Sequence, residues 1–587
     1  MNMAEKWKTL KHNGPVFPKP YQFKGACFKL FDKEFVFTSK QEEMAWAWVA
    51  KFETPYVKDK TFQKNFFKDF IKTFSDGLAN STLNNYLDYE EIKKSKFPED
   101  WDFTKLRRIY IAQRDEKKQI GKEVKEEEKR KREELKAIHG FAELDGQKVP
   151  LGNYVVEPAG LFLGRGNHPL RGSWKRAIAP EDVIINHSLN LNPPSPPEGH
   201  SWKRVEENQN SLFTAGWYCP LTGKFKPILF SATSIVSHKS AEKKFAKAIE
   251  LANNFDKVNS FIEKKLASRD RSTRQIATVC ELIAKMSIRV GDEKDEDEAD
   301  TVGATTLRVE HIQVDGTAVV FDFLGKDSIR YHNRVENLHI NAIRNIEEFI
   351  NGKGKSEQVF DSITSSDVNE FLGMVLPGLT AKQFRTATGS VLLAKELQAQ
   401  KINSSLSEKK KLEYYVNANL EVALKLNHQS AVSEAYERSL QNMKDKLKTY
   451  KNEFKNIKAS LKQELDLLKQ ERDKRISFAE KYTGDRKKDS IRRAKETYKK
   501  KEEALTKKLN KLEERINDLQ SKIDMKEKTK GVALGTSKLN YSDPRIGISW
   551  CKDNNVDIKR LYTPSVQARF EWAKDVESDF YKKYPNV

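Results

Sequence analysis

Cysteine is scarce in this sequence. Only four of the 587 residues are cysteine, namely Cys27, Cys219, Cys280 and Cys551. No two of them have the CxxC spacing of a zinc site, and four scattered thiols do not form the dense disulfide framework of a small secreted protein. The cysteine content therefore indicates a reducing, intracellular compartment.

Long apolar runs are missing as well. No stretch approaches the run of about 18 uncharged apolar residues that a membrane-spanning helix requires, and residues 1–17 lack the apolar core of a signal peptide. The HExxH pattern does not occur, and the acidic run 292–300 is too irregular in spacing to assign metal ligands. We interpret that run as a solvated loop, and we expect no export, no membrane span and no metal.

The phosphate-binding pattern GxxxxGK[ST] is incomplete. The segment that comes nearest to it ends in Gly354, Lys355 and Ser356, but its leading position holds Phe349 instead of glycine. The sequence therefore disfavours ATP use, and no cofactor is expected.

Positive charge, in contrast, is abundant. Lys and Arg number 106 against 85 Asp and Glu, which gives a formal net charge of +21 and a sequence pI of about 9.3. Such a surplus indicates a polyanionic partner. Apolar residues make up 38% of the chain, which is enough to form hydrophobic cores, and the mean hydropathy of −0.73 indicates that much of the chain is solvated. The length predicts roughly three to five structural units.

The local patterns divide the chain. Residues 123–136 are a charged run that predicts an exposed helix, and residues 140–235 are rich in Gly, Pro and β-formers, which predicts short strands and loops. Residues 236–430 have mainly helical periodicity, interrupted by the alternating segments TLRVEHIQV and AVVFDFLGKDSIRYH. These two segments predict a small antiparallel sheet, and the region as a whole predicts an α+β unit.

Heptad periodicity dominates residues 433–528 and predicts an antiparallel coiled-coil hairpin, with a turn at residues 482–485. The exposed positions are mostly charged and fit either a solvated helical face or a face that lies along nucleic acid. Residues 529–587 are too few to fold alone with confidence, so we expect them to dock onto the 236–430 region. The seam consists of Tyr436, Leu440, Met443, Leu447, Tyr450, Phe454, Ile457 and Leu461, followed by Leu505, Leu509, Leu512, Ile516, Leu519 and Ile523.

Five polar residues are candidates for chemistry, although each has an ordinary structural explanation. The five are Arg289, Lys326, Arg385, His428 and Tyr541. In the same order, the ordinary explanations are a helix-end cation, an exposed turn lysine, a helix-surface charge, a hydrogen-bonded core histidine and an interfacial tyrosine. The residues alone thus leave open whether this basic nucleic-acid-binding protein is an enzyme.

The motifs around these residues occur in the order of one known family. They read RVGDEKDEDEADTVG, FDFLGKDSIRY, LTAKQFRT, LNHQ and SKLNYSDPR, and KWKTLKHNGPVF, KNFFKDF, GLFLGRGNHP, PEDVI and PEGHSWK precede them. The chain thus closely resembles eukaryotic-type DNA topoisomerase IB over almost its whole length. The match begins almost at Met1, so we expect a compact form without the family's long, charged N-terminal region.

The resemblance implies an enzyme that cuts one strand of duplex DNA and relaxes positive and negative supercoils by strand rotation. Tyr541 is then the nucleophile that forms a 3′-phosphotyrosyl bond, and Lys326 is the general acid. Arg289, Arg385 and His428 hold the scissile phosphate. Two guanidiniums and an imidazole suit this role because they neutralise charge that builds on the non-bridging oxygens without a metal.

The resemblance also implies a set of residues that contact DNA near the cleavage site. It consists of Arg165, Asn167, His168, Asp327 and Asn540, of which Arg165, Asp327 and Asn540 surround camptothecin-like drugs in the family.

Two neighbouring positions depart from the family pattern. Leu163 stands where the family usually has Arg, and Ser542 replaces its usual apolar residue after the tyrosine. One DNA contact is therefore expected to be lost. The resemblance still implies that camptothecin-like drugs poison the enzyme, and the effect of these two changes on drug sensitivity is left open.

The implied architecture is α+β, a two-lobed DNA clamp with a mainly helical catalytic domain. Residues 1–235 are the clamp lobe, 236–432 the catalytic core, 433–528 the coiled-coil linker, and 529–587 a small helical C-terminal domain with the tyrosine. The expected partner of this monomer is double-stranded DNA, without a membrane. We expect it on the chromosome, either in an archaeal cytoplasm or in a nucleus.

Two alternatives remain at this stage. A tyrosine recombinase shares the same catalytic residues, but it needs partner synapsis and a defined site, and the clamp motifs at 160–203 argue against it. A non-catalytic, basic coiled-coil protein of chromosomes would make the five residues incidental. Plasmid relaxation in EDTA without ATP separates all three.

Overall fold

A computed structural model gives the structure of the chain and describes residues 6–74, 89–292, 300–481 and 483–586. The interior of the acidic run 292–300, predicted to be a loop, lies outside the described residues, as does the side chain of Asp327. Within the described ranges, no helix combines the length and the apolarity that a membrane span needs. Helices and several small sheets alternate, which confirms the predicted α+β class.

The described residues form two compact units. The first comprises the chain up to Ala399 together with the residues from Leu539 onward, and the second comprises Gln400–Lys538. The candidate residues Arg289, Lys326, Arg385 and Tyr541 belong to the first unit, and His428 belongs to the second.

The N-terminal part of the first unit consists of short strands and helices, as the sequence predicts. The strands are β1 (Leu10–His12), β2 (Cys27–Leu30), β3 (Lys33–Val36), β4 (Trp101–Asp102), β5 (Phe141–Leu144), β6 (Gln147–Pro150), β7 (Gly160–Leu161), β8 (Trp174–Lys175), β9 (Ile184–Asn186), β10 (Arg204–Glu206), β11 (Phe213–Tyr218) and β12 (Phe225–Leu229). The helices are α1 (Ser39–Val49), α2 (Lys60–Ile71), α3 (Tyr89–Lys94), α4 (Thr104–Gln119) and α5 (Lys122–His139). The sheets have the strand orders β1-β5-β6, β3-β2-β4, β7-β8 and β10-β9-β11-β12. The predicted charged helix is α5, and none of its residues is buried.

Helix α2 anchors an aromatic core. Phe62, Phe66 and Phe70 recur every four residues, so they share one helix face, and all three are fully buried. The Nδ2 of Asn65, on the same helix, donates to the carbonyl oxygens of Pro169 and Arg171 at 2.6 and 2.9 Å. Helix α2 therefore holds the end of the GLFLGRGNHP loop in place.

The next part of the first unit surrounds a three-stranded antiparallel sheet, which confirms the predicted small sheet. The elements are α6 (Ile235–Asn253), α7 (Phe255–Leu266), α8 (Arg271–Met286), β13 (Ile312–Asp315), β14 (Ala318–Gly325), β15 (Ile329–Val335), α9 (Ile340–Ile350), α10 (Ser365–Val375) and α11 (Ala381–Gln398). The sheet has the strand order β13-β14-β15. Helices α8 and α9 and the inner faces of these strands share one apolar core.

The second unit contains α12 (Glu408–Lys425) and two long paired helices, α13 (Glu434–Ala479) and α14 (Gly484–Lys528). Cross-contacts such as Lys444–Glu527 at 2.6 Å and Lys451–Gln520 at 3.2 Å run in opposite chain directions, which confirms the antiparallel coiled coil. The sequence predicts the turn at residues 482–485, but helix α14 already begins at Gly484 and so includes the last two residues of that turn. The buried seam residues are Leu440, Leu447, Leu461, Leu512, Ile516 and Ile523.

The remaining helices lead back to the first unit: α15 (Leu534–Asn540), α16 (Pro544–Asp553), α17 (Ile558–Leu561), α18 (Pro564–Arg569) and α19 (Phe580–Lys583). Prolines and short turns divide this segment into short helices. Trp572 stacks on Phe245 of α6 at a centroid distance of 6.0 Å, and the Nε2 of Gln398 donates to the Tyr581 carbonyl at 2.6 Å. The C-terminal segment therefore packs against α6 and α11.

Candidate active site

Tyr541 is held between two arginines. It directly follows α15, and its side chain is half-buried. The Nη2 of Arg289 donates to the phenol oxygen at 3.4 Å. The guanidinium carbon of Arg385 lies 4.8 Å from the centre of the tyrosine ring. Three of the five candidate residues therefore meet at one point.

Arg385 approaches from the interior. It lies on α11 and is only 4% exposed. Its Nη1 donates to the carbonyl oxygen of Ser287, the residue that ends α8 in the left-handed conformation with φ of 55°. That turn leaves the carbonyl available for the guanidinium. Burial lowers the pKa of Arg385, Tyr541 opposes that shift, and Arg289 adds to it. An arginine remains charged despite such a shift.

Arg289 is exposed, but its backbone is fixed. The amide of Ala304 donates to its carbonyl oxygen at 2.9 Å, and the amide of Thr305 donates to the carbonyl of Val290 at 2.7 Å. Gly291 and Gly303 make this approach possible, since a Cβ on Gly303 would lie 2.4 Å from the Cα of Gly291. The two chain segments that flank the acidic run thus meet just beyond Arg289.

The electrostatic surroundings favour the phenolate form of Tyr541. Burial alone raises the pKa of the phenol, but the positive charges of Arg385 and Arg289 and their hydrogen bonds outweigh burial. The pKa of Tyr541 therefore lies below its ordinary value. A phenol that loses its proton more readily is a better nucleophile near neutral pH.

Lys326 lies at the tip of the β14–β15 hairpin, as the sequence predicts. Gly325 pairs with Ile329, and Lys326 starts the short turn between them with an exposed side chain. Gly166 packs against this tip, because a Cβ there would lie 1.8 Å from the Oγ of Ser328. The loop that carries Arg165 and Asn167 therefore contacts the lysine turn.

The residues of that loop differ in exposure. Arg165 and Asn167 are exposed, whereas His168 is half-buried with its ring edge-on to Phe162 at a centroid distance of 4.8 Å. The Nδ1 of His168 accepts from the amide of Leu170 at 3.2 Å. Leu163 packs against the aromatic core of α2. Arg165 and Asn167 thus lie on the exposed side of the loop, and His168 helps to shape it.

His428 is described within the second unit. It is 5% exposed and follows Asn427, which has φ of 52° at the end of α12. Its amide donates to the carbonyl of Ala423, and its own carbonyl accepts from Ala533, both at 2.8 Å. His428 therefore links the end of α12 to the chain that returns from the coiled coil.

The sequence did not single out three residues that hold the tyrosine segment. The Nζ of Lys244 donates to the carbonyl oxygen of Asn540. The Nη2 of Arg569 donates to the Leu539 carbonyl and to the Oδ1 of Asn540, both at 3.0 Å. The Oγ of Ser390 donates to the Tyr541 carbonyl at 3.2 Å. A lysine, an arginine and a serine in ordinary helices carry no local signal for such distant contacts.

Models of known protein families match three parts of the chain. Residues 5–230 match the DNA-binding fragment of eukaryotic DNA topoisomerase I, residues 233–461 its catalytic core, and residues 513–582 the C-terminal topoisomerase domain. Mitochondrial DNA topoisomerase I of Pan troglodytes is 35% identical over 97% of this chain and 90% of its own length. The chain belongs to the eukaryotic DNA topoisomerase I family. As a member it is a type IB DNA topoisomerase, which confirms the family resemblance of the motifs.

Other members of the topoisomerase I family align equally far along this chain. DNA topoisomerase 1 of Homo sapiens is 34% identical over 98% of the chain and 72% of its own length. DNA topoisomerase 1 beta of Arabidopsis thaliana is 35% identical over 98% of the chain, which spans 59% of that relative.

Proposed function

We propose that this topoisomerase cuts one strand of duplex DNA with Tyr541, lets the duplex rotate, and reseals the strand. One observation carries the proposal: the phenol of Tyr541 lies against Arg289 and Arg385, which approach it from two different elements. A nucleophile placed between two permanent cations is suited to attack a phosphodiester. A tyrosine recombinase would use the same cleavage chemistry. We favour DNA relaxation because the chain is similar to DNA topoisomerase I along almost its whole length.

The attack transfers a phosphodiester from one alcohol to another. The Oη of Tyr541 loses its proton to solvent water and bonds to phosphorus, while the bond from phosphorus to the 5′ oxygen breaks. Negative charge builds on the non-bridging oxygens during this step, and Arg289 and Arg385 neutralise it. The lowered pKa of Tyr541 assists the loss of the phenolic proton.

The departing 5′ oxygen needs a proton, because an alkoxide is a poor leaving group. We assign the proton to Lys326, whose exposed side chain starts the turn of the β14–β15 hairpin. We assign His428 to the scissile phosphate on the basis of the LNHQ motif. Its burial in the second unit suits a ring that has a fixed orientation.

The phosphotyrosyl bond preserves the energy of the broken linkage, so religation is the reverse reaction. We therefore expect activity without ATP and without a metal ion. Because rotation is driven by torque in the DNA, supercoils of either sign should relax.

The contact with DNA should depend mainly on phosphates, as the net charge of +21 suggests. We assign the clamp lobe to residues 1–235, the catalytic core to 236–432, the linker to 433–528 and the tyrosine domain to 529–587. In the clamp lobe, exposed Arg165 and Asn167 and partly exposed His168 lie on one loop, and we place Asn540 and Asp327 in the same DNA-contact set. We expect a monomer on chromosomal DNA, with no membrane.

A plasmid assay tests the function. Wild-type protein should relax positively and negatively supercoiled plasmids in EDTA without ATP. Arg289→Ala should slow relaxation on the order of 100-fold, because it removes one transition-state contact. Arg334→Ala is the matched control, since Arg334 is an exposed arginine that pairs with Asp315 and Glu336.

Three outcomes would count against the proposal. Equal activity of the Arg289 and Arg334 variants would remove Arg289 from the site. A requirement for one DNA sequence and a paired second site would indicate a recombinase. Binding without any relaxation would indicate a non-catalytic protein.

A further inference from the structure

Three successive carbonyl groups, ending with that of Tyr541, each accept a hydrogen bond from a side chain of another element. Arg569 of α18 binds the carbonyl of Leu539, Lys244 of α6 binds that of Asn540, and Ser390 of α11 binds that of Tyr541. The Oγ of Ser390 also accepts from the amide of Asp543 at 3.0 Å. The chain on both sides of the Tyr541 Cα is therefore fixed.

The position of the two cations has a physical reason. Leu539 and Asn540 are the last residues of α15, and the final carbonyl groups of a helix have no partner within the helix. The partial negative charge at this helix end attracts cations. Lys244 and Arg569 both satisfy the free carbonyls and match that charge, immediately before Tyr541.

Lys244 lies at the centre of this arrangement. Its side chain is half-buried, and its Nζ is 4.6 Å from the ring centre of Phe245 and 6.0 Å from that of Tyr541. Burial, with smaller contributions from Lys382 and Arg569, lowers its pKa to about 8, while Asp543 opposes the shift. The ammonium therefore begins to lose its proton not far above neutral pH.

We propose that Lys244 is a positioning residue for strand cleavage, which holds the Asn540 carbonyl and thereby aims the Tyr541 phenol at Arg289 and Arg385. The inference rests on the proposed function, since it assumes that Tyr541 is the nucleophile. Small displacements of a reacting group are costly, and a shift of about 1 Å can slow a reaction roughly 100-fold. Losing the lysine contact should therefore affect cleavage more than DNA binding.

The first test compares variants of adjacent lysines. Lys244→Met keeps the length of the side chain and removes the donor and the charge. Lys243→Met removes one charge from the same helix at an exposed position, so it controls for weaker attraction to DNA. In single-turnover cleavage of a suicide duplex at saturating protein, Lys244→Met should be slower by about 10-fold or more, and Lys243→Met should match the wild type. Equal rates for the two variants would overturn the proposal.

The second test uses pH and a variant that keeps the charge. Lys244→Arg retains a donor and a cation that does not titrate, so it should fold and cleave. The ratio of its cleavage rate to the wild-type rate should rise above about pH 8, because only the wild type loses its cation there. Because both proteins contain Tyr541, the effect of its titration on the two rates cancels in this ratio. A ratio that stays constant from about pH 7 to about pH 9.5 would overturn the proposal.

Failure of the proposed function and failure of the Lys244 proposal can be distinguished. If the wild type forms no covalent complex at all, the proposed function is wrong. If the wild type forms the complex and either lysine test gives the opposing result, only the role of Lys244 is wrong.

Discussion

The guanidinium of Arg289 reaches the phenol oxygen of Tyr541 at 3.4 Å, although 252 positions separate the two residues in the chain. Arg289 lies just beyond α8, and Tyr541 lies between α15 and α16. The contact exists because the C-terminal segment packs against α6 and α11 of the same unit. Tyr541 and the guanidinium beside its phenol therefore come together only when the two ends of this unit assemble.

The electrostatic role of Arg289 predicts a shift in pH dependence. Its charge helps to hold the pKa of Tyr541 below the ordinary value, so Arg289→Ala should raise that pKa. The cleavage rate should then continue to increase to a higher pH than in the wild type. Single-turnover cleavage measured across pH checks this, with Arg334→Ala as the control. An unshifted profile would mean that Arg289 does not act on the phenol.

The assignment of Lys326 predicts a rescue by chemistry. Lys326→Ala should cleave ordinary DNA on the order of 100-fold more slowly than the wild type. A substrate with sulfur at the bridging 5′ position has a leaving group that needs no proton, so its cleavage should largely recover. Equal defects on both substrates would make Lys326 a binding residue instead of a general acid.

Much of the fold could be predicted from local pattern. The heptads of α13 and α14 and the alternating residues of β14 and β15 repeat often enough to be recognised. The alternating flanks and Gly325 predict the tip position of Lys326, and the structure pairs Gly325 with Ile329 at that tip. The bounds of the individual terminal helices could not be predicted, because short segments such as α18 and α19 depend on packing against α6 and α11 more than on their own periodicity.

Part of the candidate site could be predicted from family motifs, whereas the fold was predicted from local periodicity. The motifs around Arg289, Arg385 and Tyr541 indicated the family, but nothing local to Lys244 or Arg569 reveals a contact with the tyrosine segment. Ser542 illustrates the same limit. It is 2% exposed, and its hydroxyl has no hydrogen-bond partner among the described residues, which sequence alone does not show.

A buried carboxyl group predicts a pH-dependent stability. Glu281 on α8 is completely buried, and burial raises its pKa, with Glu263 adding to the shift and Lys285 and the His339 amide opposing it. A raised pKa in the folded state means that the stabilisation is complete below the unfolded pKa of about 4.3 and is lost as pH rises through the folded value.

Glu281→Gln removes that titration but keeps an oxygen that can accept from the His339 amide, which now lies at 3.2 Å. The melting temperature of the variant relative to the wild type should therefore be higher at about pH 7.5 than at about pH 4.5. A difference that does not change with pH would show that Glu281 does not titrate in this way.

The proposed domain division predicts that the coiled coil is not needed for chemistry. None of the assigned catalytic residues lies within 433–528. A chain without this hairpin, supplemented with residues 529–587 as a separate fragment, should relax plasmids at a reduced rate. The same fragment with Tyr541→Phe is the control and should be inactive. If the fragments associate but do not relax DNA, the linker has a catalytic role.

The central claim is that Tyr541 becomes covalently attached to a 3′ phosphate. The most direct measurement mixes the protein with duplex DNA labelled separately at each end of the cut strand, in EDTA, and stops the reaction with denaturant. The wild type should be bound to the fragment with the new 3′ end, whereas Tyr541→Phe should bind the duplex equally well and trap nothing. Attachment to the 5′ end, or a trapped complex with the phenylalanine variant, would contradict the account.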